Sequence, residues 1–491
     1  MKRNLLIENL NKATRNLWKV LSLVAVIGFL SACSDDDDDT PAASNTVVDL
    51  AQSNADLSIL VEAILKVDGL AETLSDANGN YTVFAPTNDA FSALLATVGQ
   101  SSLDDIPVSV LERILSYHVV AGNALASTDL SDGQTANTTL TGESIAVSIS
   151  GSTVQINSSN VITADVQGSN GIVHVVDAVL VPSLEASIVN TVVEPAYFNA
   201  NFSILTEAVV TAGLLETLID GTANFTVFAP TNDAFTAAGI TSLDGLTADD
   251  LTPILTYHVL DSEVKAADLP ATGSAVTTLG GDFYLSINDN GVFINGSTQV
   301  TATDVDQDNG VVHVIDRTLV PAADNIVNIA VAASEATEGA EYGQLVAALT
   351  AVEADASTSS LVTILSSAAS SDGAPFTVFA PTDAAFEQLY TDAGVADLDA
   401  LVAAVGIGTI EAVLKYHVIG GARVFSSDLP NLSSTTITTL GGTVVLDLAN
   451  LTLTETDNVL SLNMDNDAAI TGTDIFGTNG VIHTIDKVIL P

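Results

Sequence analysis

The sequence predicts an α+β chain of three tandem domains, and three observations predict it. The 491 residues are too many for one hydrophobic core, and about 150 residues per domain gives three. A ten-residue block, Thr82 to Phe91, returns residue for residue at Thr226 to Phe235, and again at Thr377 to Phe386 with Asp383 and Ala384 in place of Asn and Asp. Within each repeat, helical periodicity comes first, and Val-, Ile- and Thr-rich segments broken by turn signals follow.

The chain opens with an address. Lys2, Arg3, Lys12, Arg15 and Lys19 precede an apolar run, Val20 to Leu30, that has the length of a secretory core and is too short to span a bilayer. Leu30-Ser31-Ala32-Cys33 resembles a bacterial lipobox, which implies a signal peptide over residues 1–32 and a lipid on Cys33. Cys33 is the only cysteine, so no intramolecular disulfide can form. Ser34, Asp35 to Asp39 and the stretch to Asn45 lack apolar periodicity and are expected to be an acidic tether, residues 33–45. A serine followed by aspartates behind the lipid cysteine resembles the signal that carries some Gram-negative lipoproteins to the outer surface. The implied location is a surface-exposed outer-membrane lipoprotein.

Sixty acidic residues stand against twelve Lys and Arg, for a formal charge of −48. Such a surface repels phosphates and excludes nucleic-acid binding, which needs a basic footprint. It suits divalent cations or basic partners, and it also keeps a chain with 47% hydrophobic residues hydrated.

Domain boundaries are expected at 46–182, 183–321 and 322–491. Each unit should open with an amphipathic helix: Leu57, Leu60, Val61, Ile64 and Leu65 share one face, with Gly69 placed to end it, and Tyr342, Leu345, Val346 and Leu349 repeat that face. Thr82-Val83-Phe84-Ala85-Pro86 alternates as a short strand, Pro86 stops it, and Thr87 or Asn88 can cap a helix that buries Phe91 and Leu94. Turn signals at Ser150-Gly151 and Asp289-Asn290-Gly291 mark hairpins. The third unit carries a longer excursion between Leu446 and Ile470. Its two histidines lie 66 residues apart, against 56 and 55 in the other units, making it the most individual surface.

Three further signatures recur in order. A Tyr-His pair stands at Tyr117-His118, Tyr257-His258 and Tyr416-His417, and a Thr-Thr-Leu at Thr138 to Leu140, Thr277 to Leu279 and Thr438 to Leu440. Each unit closes on a Gly, two apolar residues and a His, at Gly171 to Asp177, Gly310 to Asp316 and Gly480 to Asp486. With the Thr-Val-Phe-Ala-Pro-Thr block, this set resembles the fasciclin domain over residues 46–491. The resemblance implies a wedge-shaped β-sandwich or half-barrel with packed helices, and a role in extracellular adhesion. It marks Phe84, Pro86, Thr87, Phe228, Pro230, Thr231, Phe379, Pro381 and Thr382, with the Tyr-His pairs and His174, His313 and His483, as family residues that build the fold.

All six histidines belong to these signatures. His118 completes a helical stripe with Leu111, Ile114 and Leu115, as do His258 and His417 in theirs, so a backbone carbonyl is the expected partner. Strand alternation points His313 and Asp316 to opposite faces, which prevents a His-Asp dyad, and no Gly-x-Ser-x-Gly elbow occurs anywhere. An enzyme is therefore the least supported class. Asp304, Asp306 and Asp308 imitate the start of a calcium loop, but Gly310 is one place late and Ile315 stands where the closing Glu belongs; the choice is between a weak Ca2+ site and an acidic hairpin. The leading expectation is a lipid-anchored adhesion protein that binds matrix, cells or itself. The alternative is a soluble-ligand or glycan-binding lipoprotein, with the third unit's excursion as its site. Aromatic residues at 5%, and a lone Trp18 within the signal peptide, supply sugar stacking poorly.

Overall fold

The computed structural model describes residues 45–355, 357–358, 360–368, 374–432, 436–447, 452–455 and 467–490. The expected signal peptide, Cys33 and all but the last residue of the expected tether lie outside the described residues, as does most of the excursion between Leu446 and Ile470. Residues 45–491 form one compact unit containing three seven-stranded sheets of the same topology.

In the first repeat the strands are β1 (Tyr81–Pro86), β2 (Val119–Ala121), β3 (Thr135–Asn137), β4 (Ser144–Ser150), β5 (Thr153–Ile156), β6 (Ser159–Gly168) and β7 (Gly171–Val176), in the order β2-β1-β7-β6-β5-β4-β3. The second repeat has β8 (Phe225–Pro230), β9 (Val259–Leu260), β10 (Ala275–Thr278), β11 (Gly281–Asn288), β12 (Gly291–Ile294), β13 (Thr298–Gln307) and β14 (Gly310–Ile315). The third runs from β15 (Phe376–Pro381) and β16 (Val418–Gly420) through β17 (Thr436–Thr438), β18 (Thr443–Asp447), β19 (Thr452–Glu455) and β20 (Ala468–Gly477) to β21 (Gly480–Ile485).

Hairpin chemistry makes most of each sheet antiparallel, and two-residue turns join β4 to β5 and β11 to β12 where the sequence places its turn signals. The centre is different. β1 lies parallel to β7, with Phe84 opposite His174, so the first and last strands of the unit pair across some ninety residues of chain. That position explains why Thr82 to Pro86 are buried on both faces, where alternation predicts one wet face. Val83, Ala85, Val173 and Val175 face a core made with the helices; Phe84 and Val176 face a second core with Ile145, Val147 and Ile156 from the curling outer strands. Each unit is thus a nearly barrel-like sheet with helices packed against one side.

The expected opening helix is not the first: Val47–Gln52, capped by Thr46, precedes it, and Ser58–Lys66 then buries Leu60, Ala63 and Ile64, with Leu57 just before it. Leu65, expected on that face, is 63% exposed and Val61 only half-buried; the stripe turned inward, toward the neighbouring helices, runs through Leu57, Leu60, Ala63 and Ile64. Gly69 does not end this helix: at φ 76° it forms the left-handed turn that starts the helix Leu70–Leu74. In the third unit Tyr342, Leu345 and Leu349 are buried and Val346 half-buried. At the strand-to-helix corner, Thr87, Thr231 and Thr382 accept the backbone N–H of Ala90, Ala234 and Ala385 at 3.2, 3.3 and 3.0 Å. Phe91 is buried as expected, but Leu95 rather than Leu94 completes its face.

Candidate functional site

At the end of the helix Val108–Tyr117 the His118 N–H goes to the Leu115 carbonyl and the Thr139 hydroxyl to that of Ser116, and the His118 ring turns back onto the carbonyl of Ile114. Nδ1 lies 2.7 Å from the Ile114 carbonyl and Nε2 accepts the Leu180 N–H at 2.8 Å, which fixes the Nδ1-protonated neutral tautomer. His258 repeats this with Ile254 and Leu319 (2.8 and 2.9 Å), and His417 with Val413 and Ile489 (2.7 and 2.8 Å). Burial pushes all three imidazoles down to about 4, against the smaller opposing pull of the carbonyl bond. The preceding tyrosines are tied to the outer hairpin: Tyr117 donates to the Ser144 carbonyl at 3.0 Å, Tyr257 to that of Asp282 at 2.9 Å, and Tyr416 to that of Thr443.

The second histidine takes the opposite tautomer. His174 Nε2 donates to the Leu125 carbonyl at 2.8 Å, and Nδ1 faces the Asp165 N–H at 3.4 Å. His313 does the same with Val264 and Asp304 (2.9 and 3.2 Å), and His483 with Val424 and Asp474 (2.8 and 3.3 Å). Each ring packs on the phenylalanine of the neighbouring parallel strand: Phe84 at 5.6 Å, Phe228 at 5.2 Å and Phe379 at 5.7 Å between centroids. The aspartate at the end of each closing strand turns away. Asp177, Asp316 and Asp486 each accept a backbone N–H, from Asn160, Gln299 and Ala469, at 2.7 Å. Both nitrogens of every ring are engaged by backbone, so none is placed to accept a substrate proton.

The three acidic residues proposed for calcium do not converge. Asp304 has φ 59°, sits at a register shift of β13 and accepts the Ala266 N–H at 2.8 Å. Asp165 and Asp474 do the same in the other units, also at positive φ, receiving Ser127 and Ser426 at 2.7 and 2.8 Å. This residue is therefore a bulge device of the fold, for which Asp tolerates the left-handed backbone. Asp306 pairs with Lys265 at 3.0 Å, and the Asp308 N–H goes to the Asn190 carbonyl at 2.9 Å. Among the described residues no group of three or more His, Cys, Asp or Glu side chains could hold a metal ion.

Sequence reasoning missed the asparagine before each closing glycine. Asn170, 2% exposed, donates to the carbonyls of Leu74 and Asp76 at 2.8 and 2.9 Å and accepts the Val47 N–H at 2.9 Å, knotting three segments together. Asn309 and Asn479 repeat all three bonds. The Asn-Gly pair at 170, 309 and 479 was the available signal. Its glycine has no alternative, because a Cβ on Gly310 would lie 2.0 Å from the Phe225 carbonyl oxygen.

Two junctions join the units. Arg113 of the first pairs with Glu185, which also receives the Tyr197 O–H at 3.0 Å. At the other, the Arg423 guanidinium lies 4.0 Å over the Tyr284 ring and 5.3 Å from that of Phe476. There Ser286 bonds Asp428, and Asn288 donates to the Ser427 carbonyl at 2.8 Å. The cavity against His258 measures only about 60 Å³, far below a substrate pocket.

This is a tandem array of α+β modules whose histidines and paired tyrosines, Tyr117, Tyr257 and Tyr416, are turned inward to hold the fold. The chain belongs to the fasciclin domain family: the Fasciclin domain model matches residues 55–182, 200–321 and 347–491. It is 42% identical over 139 residues to Protein sll1483 of Synechocystis sp., covering 28% of this chain and 74% of that protein. Periostin of Homo sapiens is 25% identical over 454 residues, covering 91% of this chain and 47% of periostin. Transforming growth factor-beta-induced protein ig-h3 of Sus scrofa is 29% identical over 246 residues, covering 50% of this chain and 35% of that protein. The matches thus span less than half the length of these two animal relatives. A solved FAS1 domain pair from the insect cell adhesion molecule Fasciclin I aligns at 22% identity with a TM-score of 0.25, covering 55% of this chain and 98% of that one. Among the described residues no helix is long and apolar enough to cross a membrane.

Proposed function

We propose that this chain is a lipid-anchored adhesion protein of a bacterial cell envelope, carried on Cys33 at the outer surface, that binds matrix or cell-surface partners through several weak sites on its three fasciclin domains. One observation carries the reading. In all three repeats the histidines and the tyrosines of the Tyr-His pairs are engaged by backbone, so what a repeat offers outward is surface. Three linked surfaces raise effective concentration and give avidity without any strong pocket. Adhesion is the role that the fasciclin resemblance implies, and the lipobox-like Leu30 to Cys33 supplies an anchor. A formal charge of −48 opposes contact between identical faces, which favours heterophilic partners, or self-contact only when cations screen it.

Beads carrying the chain tethered through its N-terminus test the reading. They should adhere to cells or matrix polysaccharide and should cluster with each other only with millimolar calcium, if at all. Failure to adhere to any of these surfaces would remove adhesion. In cells, Cys33→Ala should move the protein from the membrane to the soluble fraction, and unchanged membrane partition would remove the anchor.

A further inference from the structure

Between the first and second repeats lies a cleft of about 510 Å³, within the size range of pockets that hold drug-sized ligands. The helix Val108–Tyr117 and the helix Ser203–Thr211 contribute its walls. Leu184, Val210 and Leu215 give it an aliphatic strip over the buried Val110, with Ser109, Ser203, Thr206 and Thr211 between them. Val210 is 53% exposed, a branched apolar side chain that the fold leaves uncovered on a concave surface. The walls belong to one body, because a single hydrophobic cluster runs from Val47 and Leu115 of the first repeat to Phe202 and Leu255 of the second. The cleft is therefore preformed.

Its charge selects the occupant. Arg113 lines the cleft, but its guanidinium donates to both oxygens of the buried Glu185, at 2.5 and 3.4 Å, so its positive charge is offset by that carboxylate. Glu207 is the other charged lining residue, and it is exposed. Glu112 and Glu216 lie exposed on elements that contribute to the walls. Anionic ligands are repelled, and a neutral sugar finds no stacking surface, since Tyr197, the aromatic residue among the lining, is only 5% exposed. Apolar side chains flanked by Lys or Arg fit both the lining and the rim.

We infer that this cleft docks a cationic amphipathic segment of a protein partner, with its aliphatic side chains against Leu184, Val210 and Leu215 and its basic groups on Glu207 and the acidic surface around it. The inference rests on the adhesion reading and gives it a face and a partner chemistry.

The test uses the full chain and a short fluorescent peptide of leucine and lysine with helical periodicity, titrated by anisotropy at physiological salt. Val210→Asp decides it by sign. The substitution adds an acid, so a purely electrostatic association tightens, whereas docking against the apolar wall weakens by about tenfold or more. Glu207→Lys should also weaken binding and flatten its salt dependence. Ile162→Asp, at a residue 55% exposed on β6 and outside the cleft, should not weaken it. Absence of peptide binding, unchanged or tighter binding to Val210→Asp, an equal loss in Ile162→Asp, or displacement of the peptide by a neutral oligosaccharide would each overturn the assignment. Bead adhesion separates the two readings: if Val210→Asp beads adhere like the parent while the peptide result fails, adhesion stands and the cleft falls.

Discussion

A neutral imidazole offers one donor and one acceptor, and in His118 backbone takes both. The local half of this arrangement is written in the sequence: Leu111, Ile114, Leu115 and His118 share a helical face, so the Ile114 carbonyl is a natural partner. The Leu180 N–H is 62 residues away and nothing local points to it. Burial holds His118, His258 and His417 near 4, below the ordinary 6.5, so the unfolded chain binds more protons between those values. Each ring's contribution is complete above about pH 6.5 and is lost as the pH falls through 4, at most about 3 kcal/mol per ring. Urea midpoints should therefore fall steadily from pH 7 to 4.5, and a flat profile would contradict the burial argument. His118→Leu should cost about 2 kcal/mol at pH 7 by stranding the Leu180 N–H, and should make the first repeat less sensitive to acid.

Strands and helices here are held by clamps as much as by propensity. Asn309 ties β14 to the chain at Val192, Leu218 and Asp220, and Asn232 caps the helix Ser203–Thr211 from a neighbouring element by accepting the Ile204 N–H at 3.0 Å. The capping threonines were legible because a cap is a three-residue relation. Asn88, which the sequence offers beside Thr87 as a cap for the helix that follows, instead accepts the Ile59 N–H 29 residues back, as Asn232 accepts that of Ile204. Replacing Asn309 with Ala strands the buried Val192 N–H and takes the amide donor from the Leu218 carbonyl, while the Asp220 carbonyl keeps the Ala223 N–H, and should cost about 2–4 kcal/mol. Thermal unfolding of that variant, compared with Asn232→Ala at about 1–2 kcal/mol, ranks the two clamps; a shift no larger than that of an exposed-site control would show Asn309 dispensable.

Across the whole molecule the two junctions differ in kind. The first and second repeats share one continuous hydrophobic cluster, while the third has cores of its own and meets the second through Arg423, Tyr284, Ser286 and Asp428. Apolar continuity couples folding more strongly than a small polar contact, so calorimetry should resolve two transitions, one for the first two repeats together and one for the third. Three separate transitions would refute the shared core, and a single one would refute the independence of the third repeat. Arg423→Ala should leave the first transition in place and shift the second downward.

Repeat number, the α+β order, the corner threonines, the hairpin turns and the inward role of the first histidines follow from the sequence alone, because each depends on a repeat, a period or a cap spanning a few residues. Tertiary structure decided the parallel pairing of β1 with β7, the asparagine knots, the bulge that claims Asp304, the packing that leaves Leu65 exposed, and both junctions with the cleft beside one of them. Those features join residues that lie far apart in the chain, up to 153 positions for Ile326 and Asn479, and such pairs are fixed by how the sheet closes and the cores fill.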